Sequence, residues 1–208
     1  MLKYPRTLHL PWSENIFNDD KVIKTLDYFA GKHVTVTAKM DGENTTMSCN
    51  GVHARSLDSK NYEYRTWVKK LWSEISYRIP PLYRICGENM FAKHSIHYKN
   101  LEDLFLVFNI WRSNRCISWY ATNRICKSIG IKTVPVLWHG IFDIKTIKKL
   151  SEIESLNGDE IEGYVIRITD SFMLSDFSKC VAKYVRKNHV QTDKHWMQGK
   201  IIRNEVSS

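Results

Sequence analysis

The sequence contains no apolar run approaching the ~20 residues that a membrane-spanning helix needs. Residues 1–6 also lack the apolar core of a signal peptide. The five cysteines form an odd set without a Cys-x-x-Cys pair, so they do not indicate a disulfide framework. We therefore expect reduced thiols, a cytoplasmic location and no membrane association.

The chain also lacks internal repeats, low-complexity tracts and Pro/Gly/Ser-rich linkers that would mark a domain boundary. Its 208 residues fit one domain, and the 43% of residues that are hydrophobic are enough for a proper core. We expect residues 1–208 to form a single domain.

Acidic residues are in the minority: 31 Lys and Arg face 22 Asp and Glu, which gives a formal net charge of +9. This excess indicates an anionic partner, and the 12% of residues that are aromatic offer surfaces on which bases can stack. Nucleic acid fits both properties. Charge alone is equally compatible with a non-catalytic nucleic-acid-binding module, which stays an alternative.

Hydrophobic periodicity predicts a mixture of strands and helices. The predicted strands are 33–39, 44–49, 52–56, 83–88, 104–111, 133–138, 161–168 and 179–186. A tight turn at Asn50-Gly51 pairs the second and third strands. The predicted helices are 62–78, which Pro80-Pro81 ends, 117–129 and 143–155, with Asp143 as the N-cap of the last. Consecutive hairpin-like runs favour an α+β domain of two packed, mostly antiparallel sheets with flanking helices.

The segment Lys39-Met40-Asp41-Gly42 carries the strongest chemical signal. Lys39 ends an alternating strand and Asp41-Gly42 is a turn signal, so the amine should lie at a strand end and face a cleft. Such a lysine can form a covalent adduct with a nucleotide once it loses a proton. Because its ordinary pKa is about 10.4, burial or a neighbouring cation must lower that value. By itself the tetrapeptide also fits a solvated turn lysine.

Five further elements follow in order along the chain. They are His53–Ser56, Ile85–Met90, Phe105–Trp111, Ile161–Arg167 and Val181–Arg186. With Lys39 they resemble the covalent nucleotidyltransferase superfamily of ATP-dependent RNA ligases, DNA ligases and mRNA capping enzymes. Within it the chain resembles the RNA ligases, from Arg6–Trp12 to His189–Trp196. The resemblance implies the nucleotidyltransferase fold shared by DNA ligases, RNA ligases and capping enzymes.

The resemblance also implies a role for each aligned residue. Lys39 would attack the α-phosphorus of ATP, expel pyrophosphate and hold AMP as a phosphoramidate. Glu88 would bind the ribose hydroxyls, with an ordinary strand-end glutamate as the alternative. Phe108 would stack on adenine, although a core phenylalanine fits the same strand. Met40 is counted with these nucleotide-binding residues.

Three charged residues complete the predicted site. Glu162 would hold a hydrated Mg²⁺ or Mn²⁺, which neutralises the triphosphate. Lys183 would contact the α-phosphate and, by its charge, help to keep Lys39 neutral. Arg55 would engage the reactive RNA end or the nucleotide, with a solvated hairpin arginine as the alternative.

The sequence departs from the family pattern at two positions. Val185 stands where many relatives have a second lysine, and Arg186 beside it would point to the opposite face of the strand. Asn109 stands where an acidic residue is common. No physical role is assigned to residues 189–197.

DNA ligases and capping enzymes append a β-barrel after the last element, and only about twenty residues follow it here, too few for such a domain. We therefore expect a stand-alone domain that acts as a monomer and joins RNA 3′-hydroxyl and 5′-phosphate ends. The expected steps are adenylation of Lys39, AMP transfer to the 5′-phosphate and attack by the 3′-hydroxyl. A GTP-dependent capping-type guanylyltransferase is a further alternative.

Overall fold

The computed structural model describes residues 2–55, 64–187 and 201–207. Within them the strands are β1 (Leu8–His9), β2 (His33–Lys39), β3 (Glu43–Ser48), β4 (Gly51–Ala54), β5 (Tyr83–Asn89), β6 (Phe105–Arg112), β7 (Arg115–Cys116), β8 (Lys132–Thr133), β9 (Val136–Ile141), β10 (Ser155–Leu156), β11 (Asp159–Glu160), β12 (Gly163–Ile168), β13 (Phe172–Met173) and β14 (Val181–Val185). The α-helices are α1 (Tyr64–Ile75), α2 (Trp119–Ile129), α3 (Ile144–Lys149) and α4 (Phe177–Cys180).

Two larger sheets and a two-stranded ribbon, β10–β11, organise these strands. The five-stranded sheet has the order β1-β14-β12-β2-β9 and is antiparallel except between β1 and β14. The seven-stranded sheet has the order β13-β7-β6-β5-β3-β4, with β8 parallel to β6. The predicted α+β class with mostly antiparallel sheets is confirmed.

The core lies on both faces of the seven-stranded sheet, and β6 is buried on both sides. Because side chains alternate along a strand, Leu106 and Phe108 face one apolar cluster, whereas Phe105 and Val107 face another. The first cluster also contains residues of the five-stranded sheet, such as Val36, so the two sheets pack together. The second cluster holds α1 and α2 against the outer face.

Most predicted elements occur near their expected bounds, and 33–39 is reproduced as β2. Asp143 caps α3 as predicted, since its side chain accepts a hydrogen bond from the backbone N–H of Thr146. The prediction of a helix to residue 155 is wrong, because α3 ends at Lys149 and a 3₁₀ turn, 150–152, leads into the ribbon.

Two predicted strands are divided or shortened. The run 133–138 is split between β8 and β9, with Pro135, which lacks a backbone N–H, between them. The run 179–186 begins inside α4, so only Val181–Val185 is strand. Residue 56 of the predicted strand 52–56, residues 62–63 of the predicted helix 62–78 and the segment 189–197 lie outside the described residues.

All five cysteines, Cys49, Cys86, Cys116, Cys126 and Cys180, are free thiols. In the described parts of the chain, no helix is both long enough and apolar enough to cross a membrane.

Candidate functional site

A pocket of about 350 Å³ opens beside the strand end that carries Lys39. The structure brings all the residues of the predicted site to its walls, namely Lys39, Met40, Arg55, Glu88, Phe108, Glu162 and Lys183. These residues come from both sheets and are separated by up to 144 positions in sequence (183 − 39). Their convergence supports one common site, and the individual roles stay predictions.

Strand register brings Lys39 next to Glu162 and near Lys183. Lys39 pairs with Gly163 across β2 and β12, and its carbonyl accepts a hydrogen bond from the Glu162 N–H at 3.2 Å. Gly163 has a φ of +146°, and a Cβ there would lie 2.2 Å from the carbonyl oxygen of Tyr184. Only glycine therefore lets β12 approach β14 this closely while presenting Glu162 to the pocket.

Lys39 and Glu162 form a hydrogen-bonded ion pair, in which Lys39 Nζ donates to Glu162 Oε2. Burial lowers the pKa of Lys39, but the charge and hydrogen bond of Glu162 outweigh it, so the pKa is raised overall. The pKa of Lys183 is instead lowered, by burial first and then by the Lys39 charge. Because repulsion between two cations is mutual, Lys183 also disfavours the charged form of Lys39, but Glu162 outweighs that effect here, and the role of Lys183 stays a prediction.

The turn after Lys39 is tied to the segment 89–98. Asp41 Oδ2 accepts hydrogen bonds from the backbone N–H groups of Ser95 at 2.7 Å and Ile96 at 3.0 Å. The N–H of Asp41 donates to the hydroxyl of Tyr98 at 3.0 Å. A Cβ on Gly42 would lie 2.6 Å from a methionine sulfur of this segment, so the turn packs directly on it. Asp41-Gly42 is thus more than a turn signal, because its contacts hold the end of the Lys39 strand against this segment.

The segment 201–207 braces the same region from the other side. Asn204 is buried, and its Oδ1 accepts a hydrogen bond from the N–H of Tyr98 at 2.9 Å. Its Nδ2 donates to the carbonyls of Met90 at 2.8 Å and Ala92 at 3.3 Å. Nothing in the sequence near Asn204 signals this contact, since its partners lie more than a hundred positions away.

Glu88 lies on β5, where it is paired with Asn44 on one side and Leu106 on the other. Its Oε2 is buried and has no hydrogen-bond partner among the described residues. Burial raises the pKa of Glu88 well above its usual range, although the Lys39 charge opposes that change. A buried carboxylate oxygen without a partner is costly, and a ligand hydroxyl would satisfy it.

Phe108 lies both in the core and on the pocket wall. Only 8% of it is exposed, and its ring packs edge-on against Tyr4 with centroids 5.0 Å apart. Its carbonyl accepts a hydrogen bond from Arg167 Nη1, and Arg167 Nη2 is 3.3 Å from Thr37 Oγ1. Arg167 also lines the pocket, although the sequence did not single it out.

Both positions that depart from the family pattern, Asn109 and Val185, are buried in the structure. Asn109 Oδ1 accepts a hydrogen bond from the Tyr4 hydroxyl at 2.6 Å and its Nδ2 donates to a cysteine sulfur. Arg186 Nε donates a hydrogen bond to the Ile161 carbonyl at 2.8 Å.

The N-terminal segment adds residues that the sequence did not reveal. Asp20 lines the pocket, with one carboxylate oxygen 3.9 Å from Lys183 Nζ and the other 3.3 Å from His9 Nε2. His9 pairs with Lys183 across the parallel strands β1 and β14. Burial, followed by the Lys183 charge, lowers the pKa of His9 to about 4. The buried imidazole therefore adds no positive charge beside Lys183 at neutral pH.

The donor set suits a hydrated divalent cation better than an all-protein metal cage. Among the described residues, no group of three or more His, Cys, Asp and Glu side chains is placed to hold a metal. Glu162 and Glu88 both line the pocket, and Mg²⁺ commonly binds through one or two carboxylates with water and phosphate oxygens completing its shell. The unpartnered Oε2 of Glu88 is free to accept a hydrogen bond from a ligand or from water bound to the cation.

In a comparison with protein families, the RNA ligase family model matches residues 32–185. No curated protein matches the chain by sequence.

Solved structures with the same fold include several of Naegleria gruberi RNA ligase. A mutant with ATP and Mn has a TM-score of 0.59 and 18% identity, over 91% of this chain and 59% of that one. A mutant with AMP and Mn has a TM-score of 0.58 and 18% identity, over 81% and 54%. The structure with PPi has a TM-score of 0.58 and 18% identity, over 91% and 59%. The chain thus spans about three fifths of that relative's length.

Proposed function

We propose that this chain, which belongs to the RNA ligase family, uses ATP to join RNA 3′-hydroxyl and 5′-phosphate ends. We further propose that residues 1–208 act as one nucleotidyltransferase domain, as a monomer and in the cytoplasm. The observation that carries the proposal is the hydrogen-bonded contact of Lys39 with Glu162 in a pocket that Lys183 also lines. Naegleria gruberi RNA ligase structures with ATP and Mn support the choice of nucleotide and of a divalent cation.

The reaction divides into three phosphoryl-group steps. Lys39 Nζ attacks the α-phosphorus of ATP, the bond to pyrophosphate breaks and a P–N bond forms. An oxygen of the RNA 5′-phosphate then attacks the same phosphorus, the P–N bond breaks and Lys39 regains its proton. Finally the RNA 3′-hydroxyl attacks the activated 5′-phosphate, a phosphodiester forms and AMP leaves.

The chain's own residues would bind and orient the nucleotide for the first step. Glu88 would accept hydrogen bonds from the ribose hydroxyls, and Phe108 and Met40 would offer apolar surface to the purine. Lys183 would stabilise charge on the α-phosphate. Arg55, exposed at the end of β4, would contact the RNA end.

Glu162 has two roles in this proposal. Its contact with Lys39 orients the amine, and its carboxylate would be the main protein ligand of Mg²⁺ or Mn²⁺. When bound, the cation would neutralise triphosphate charge and stabilise the departing pyrophosphate. If the Glu162 carboxylate bound the cation instead of Lys39, the interaction that raises the pKa of Lys39 would be lost. Burial would then favour the neutral amine.

Labelling with [α-³²P]ATP and Mg²⁺ tests the proposal directly. The wild-type protein should acquire one acid-labile AMP group on Lys39, and Lys39→Ala and Lys39→Arg should acquire none, because neither provides a neutral amine. Lys127→Ala, which removes an exposed lysine on α2, is the matched control and should label normally.

Two results would contradict the proposal. Labelling by GTP but not ATP would favour the capping-type guanylyltransferase. Binding of RNA without labelling by either nucleotide would favour the non-catalytic module.

A further inference from the structure

An open groove of about 770 Å³ lies next to the pocket, lined by Lys3, Tyr4, Pro5, Arg6 and Arg55. All but Lys3 also line the Lys39 pocket, so groove and pocket form one continuous opening. The charged side chains on the groove walls, Lys3, Arg6 and Arg55, are all cationic. We call it the Lys3–Arg55 groove, and its charge suits an anionic ligand.

The N-terminal segment that forms one wall is anchored. Tyr4 is buried, and its ring packs edge-on against Phe108 at 5.0 Å and against Phe177 at 5.4 Å between centroids. Its hydroxyl donates a hydrogen bond to Asn109 at 2.6 Å. Pro5 restricts the backbone that follows. Lys3 is therefore held at the groove by neighbours that belong to the core.

The positive charge of the groove is only partly compensated. Arg6 pairs with Asp19 at 2.5 Å and lies 3.7 Å from Asp20. Lys3 and Arg55 form no ion pair with any residue in the ranges 2–55, 64–187 and 201–207. Both are exposed, so each can turn toward a ligand without breaking an ion pair with those described residues.

Arg55 connects this charge to the reacting centre. It lies close enough to Lys183 for its charge to contribute to the lowered pKa of that lysine, after the larger effects of burial and Lys39. In an in-line phosphoryl transfer, the entering group must stand opposite the leaving nitrogen of Lys39. The RNA must therefore reach the α-phosphate from the open side of the pocket, where the groove begins.

From this geometry we propose that the Lys3–Arg55 groove binds the 5′-phosphate end of the RNA strand that receives AMP. The inference rests on the proposed ligase function and assigns Lys3 and Arg6 to substrate binding. An open volume about twice that of the nucleotide pocket leaves room for the terminal phosphate and the adjoining backbone.

A cycle that changes the protein and the RNA together tests the contact. Affinities of wild type and Lys3→Gln are measured, without ATP, for one short single-stranded RNA carrying either a 5′-phosphate or a 5′-hydroxyl. Losing one charge-assisted contact should weaken binding of the 5′-phosphate RNA by about tenfold. The 5′-hydroxyl RNA should lose less than about twofold, because the partner phosphate is absent. Lys127→Gln, an equal charge change on the outer helix α2, should match wild type with both RNAs.

Equal losses with the two RNAs, or no loss with either, would overturn the assignment. A third result would also overturn it. If Lys3→Gln needs more pyrophosphate to reverse its adenylation, yet still prefers 5′-phosphate RNA as strongly as wild type does, the groove binds part of the nucleotide rather than the RNA. The binding cycle uses no ATP. A protein that fails to form the Lys39 adduct but shows the expected coupling would refute the ligase proposal and leave the phosphate site standing.

Discussion

Replacing Glu162 by glutamine should make the amine of Lys39 chemically more reactive while making adenylation slower. Glutamine keeps the size of the side chain and removes its charge. In the structure the Glu162 carboxylate is what raises the pKa of Lys39, against a burial effect that lowers it. Without that charge, burial dominates and the neutral amine becomes more populated.

The magnitude follows from the contact. Two unit charges 4 Å apart attract by about 4 kcal/mol at an effective dielectric constant of about 20. The side chains are 22% and 11% exposed, so solvent screens the pair incompletely. Even a third of that attraction, about 1.4 kcal/mol, changes the neutral fraction of Lys39 about tenfold.

The assay is competitive labelling with a small amine-reactive reagent at pH 8, with the Lys39 peptide quantified by mass spectrometry. Lys39 should react at least about tenfold faster in Glu162→Gln than in wild type. Glu160→Gln is the matched control, because Glu160 is a neighbouring, half-exposed carboxylate that pairs with Arg186.

Adenylation by ATP should fall in the same Glu162→Gln protein by on the order of a hundredfold, because charge stabilisation in the transition state is lost. Unchanged labelling of Lys39 would refute the electrostatic reasoning. Unchanged adenylation across a magnesium titration would remove Glu162 from the reacting site.

Four further predictions concern stability and binding. The unfolded chain should bind a proton at His9 more tightly than the folded chain, because burial lowers the folded pKa to about 4. In urea denaturation, the free energy of unfolding should therefore fall by up to about 3 kcal/mol from pH 7 to pH 4. The His9→Gln variant should lose that pH dependence. The raised pKa of Glu88 makes its charged form destabilising as pH rises, so Glu88→Gln should raise the Tm at pH 8 and weaken stabilisation by ATP. Asn204→Ala should cost about 2 kcal/mol of unfolding free energy in chemical denaturation, because it leaves buried backbone groups unpaired, and Glu205→Ala is its exposed control. If RNA binding neutralises about five phosphates, log affinity should fall against log salt with a slope of roughly −3.5 to −4.5, and equally shallow slopes for RNA binding and adenylation would contradict this.

Local signals predicted the parts of the fold that depend on near neighbours. The alternation of 33–39 gave β2, and Asp143 was identified as a cap because its partner, the N–H of Thr146, is three positions away. The overlong helix prediction for 143–155 failed because apolar spacing continues past Lys149, where the chain instead passes through a 3₁₀ turn, 150–152, into the β10–β11 ribbon. A short ribbon has no periodic signal of its own.

The candidate site was predictable as a set of residues, because an ordered series of motifs carried it, but its internal contacts were not. Sequence order could not show that Asn204 braces Tyr98, or that Asp41 holds the segment 89–98, since both contacts join distant parts of the chain. Nor could it show that Asp20 lies beside Lys183. Such contacts depend on tertiary packing, and hydrophobic periodicity predicts only local secondary structure.

Two opposing effects act on the pKa of Lys39, and under the proposed function their balance would make its reactivity depend on the substrate. Burial favours neutral Lys39, whereas Glu162 favours its charged form and wins in the structure. Lys183, with a pKa lowered by burial and by Lys39, cannot reverse that outcome. Reactivity must therefore rise when the carboxylate charge is engaged elsewhere, as it would be by a divalent cation carried in with the triphosphate. Lys39 would then become nucleophilic only where an α-phosphorus is already in place.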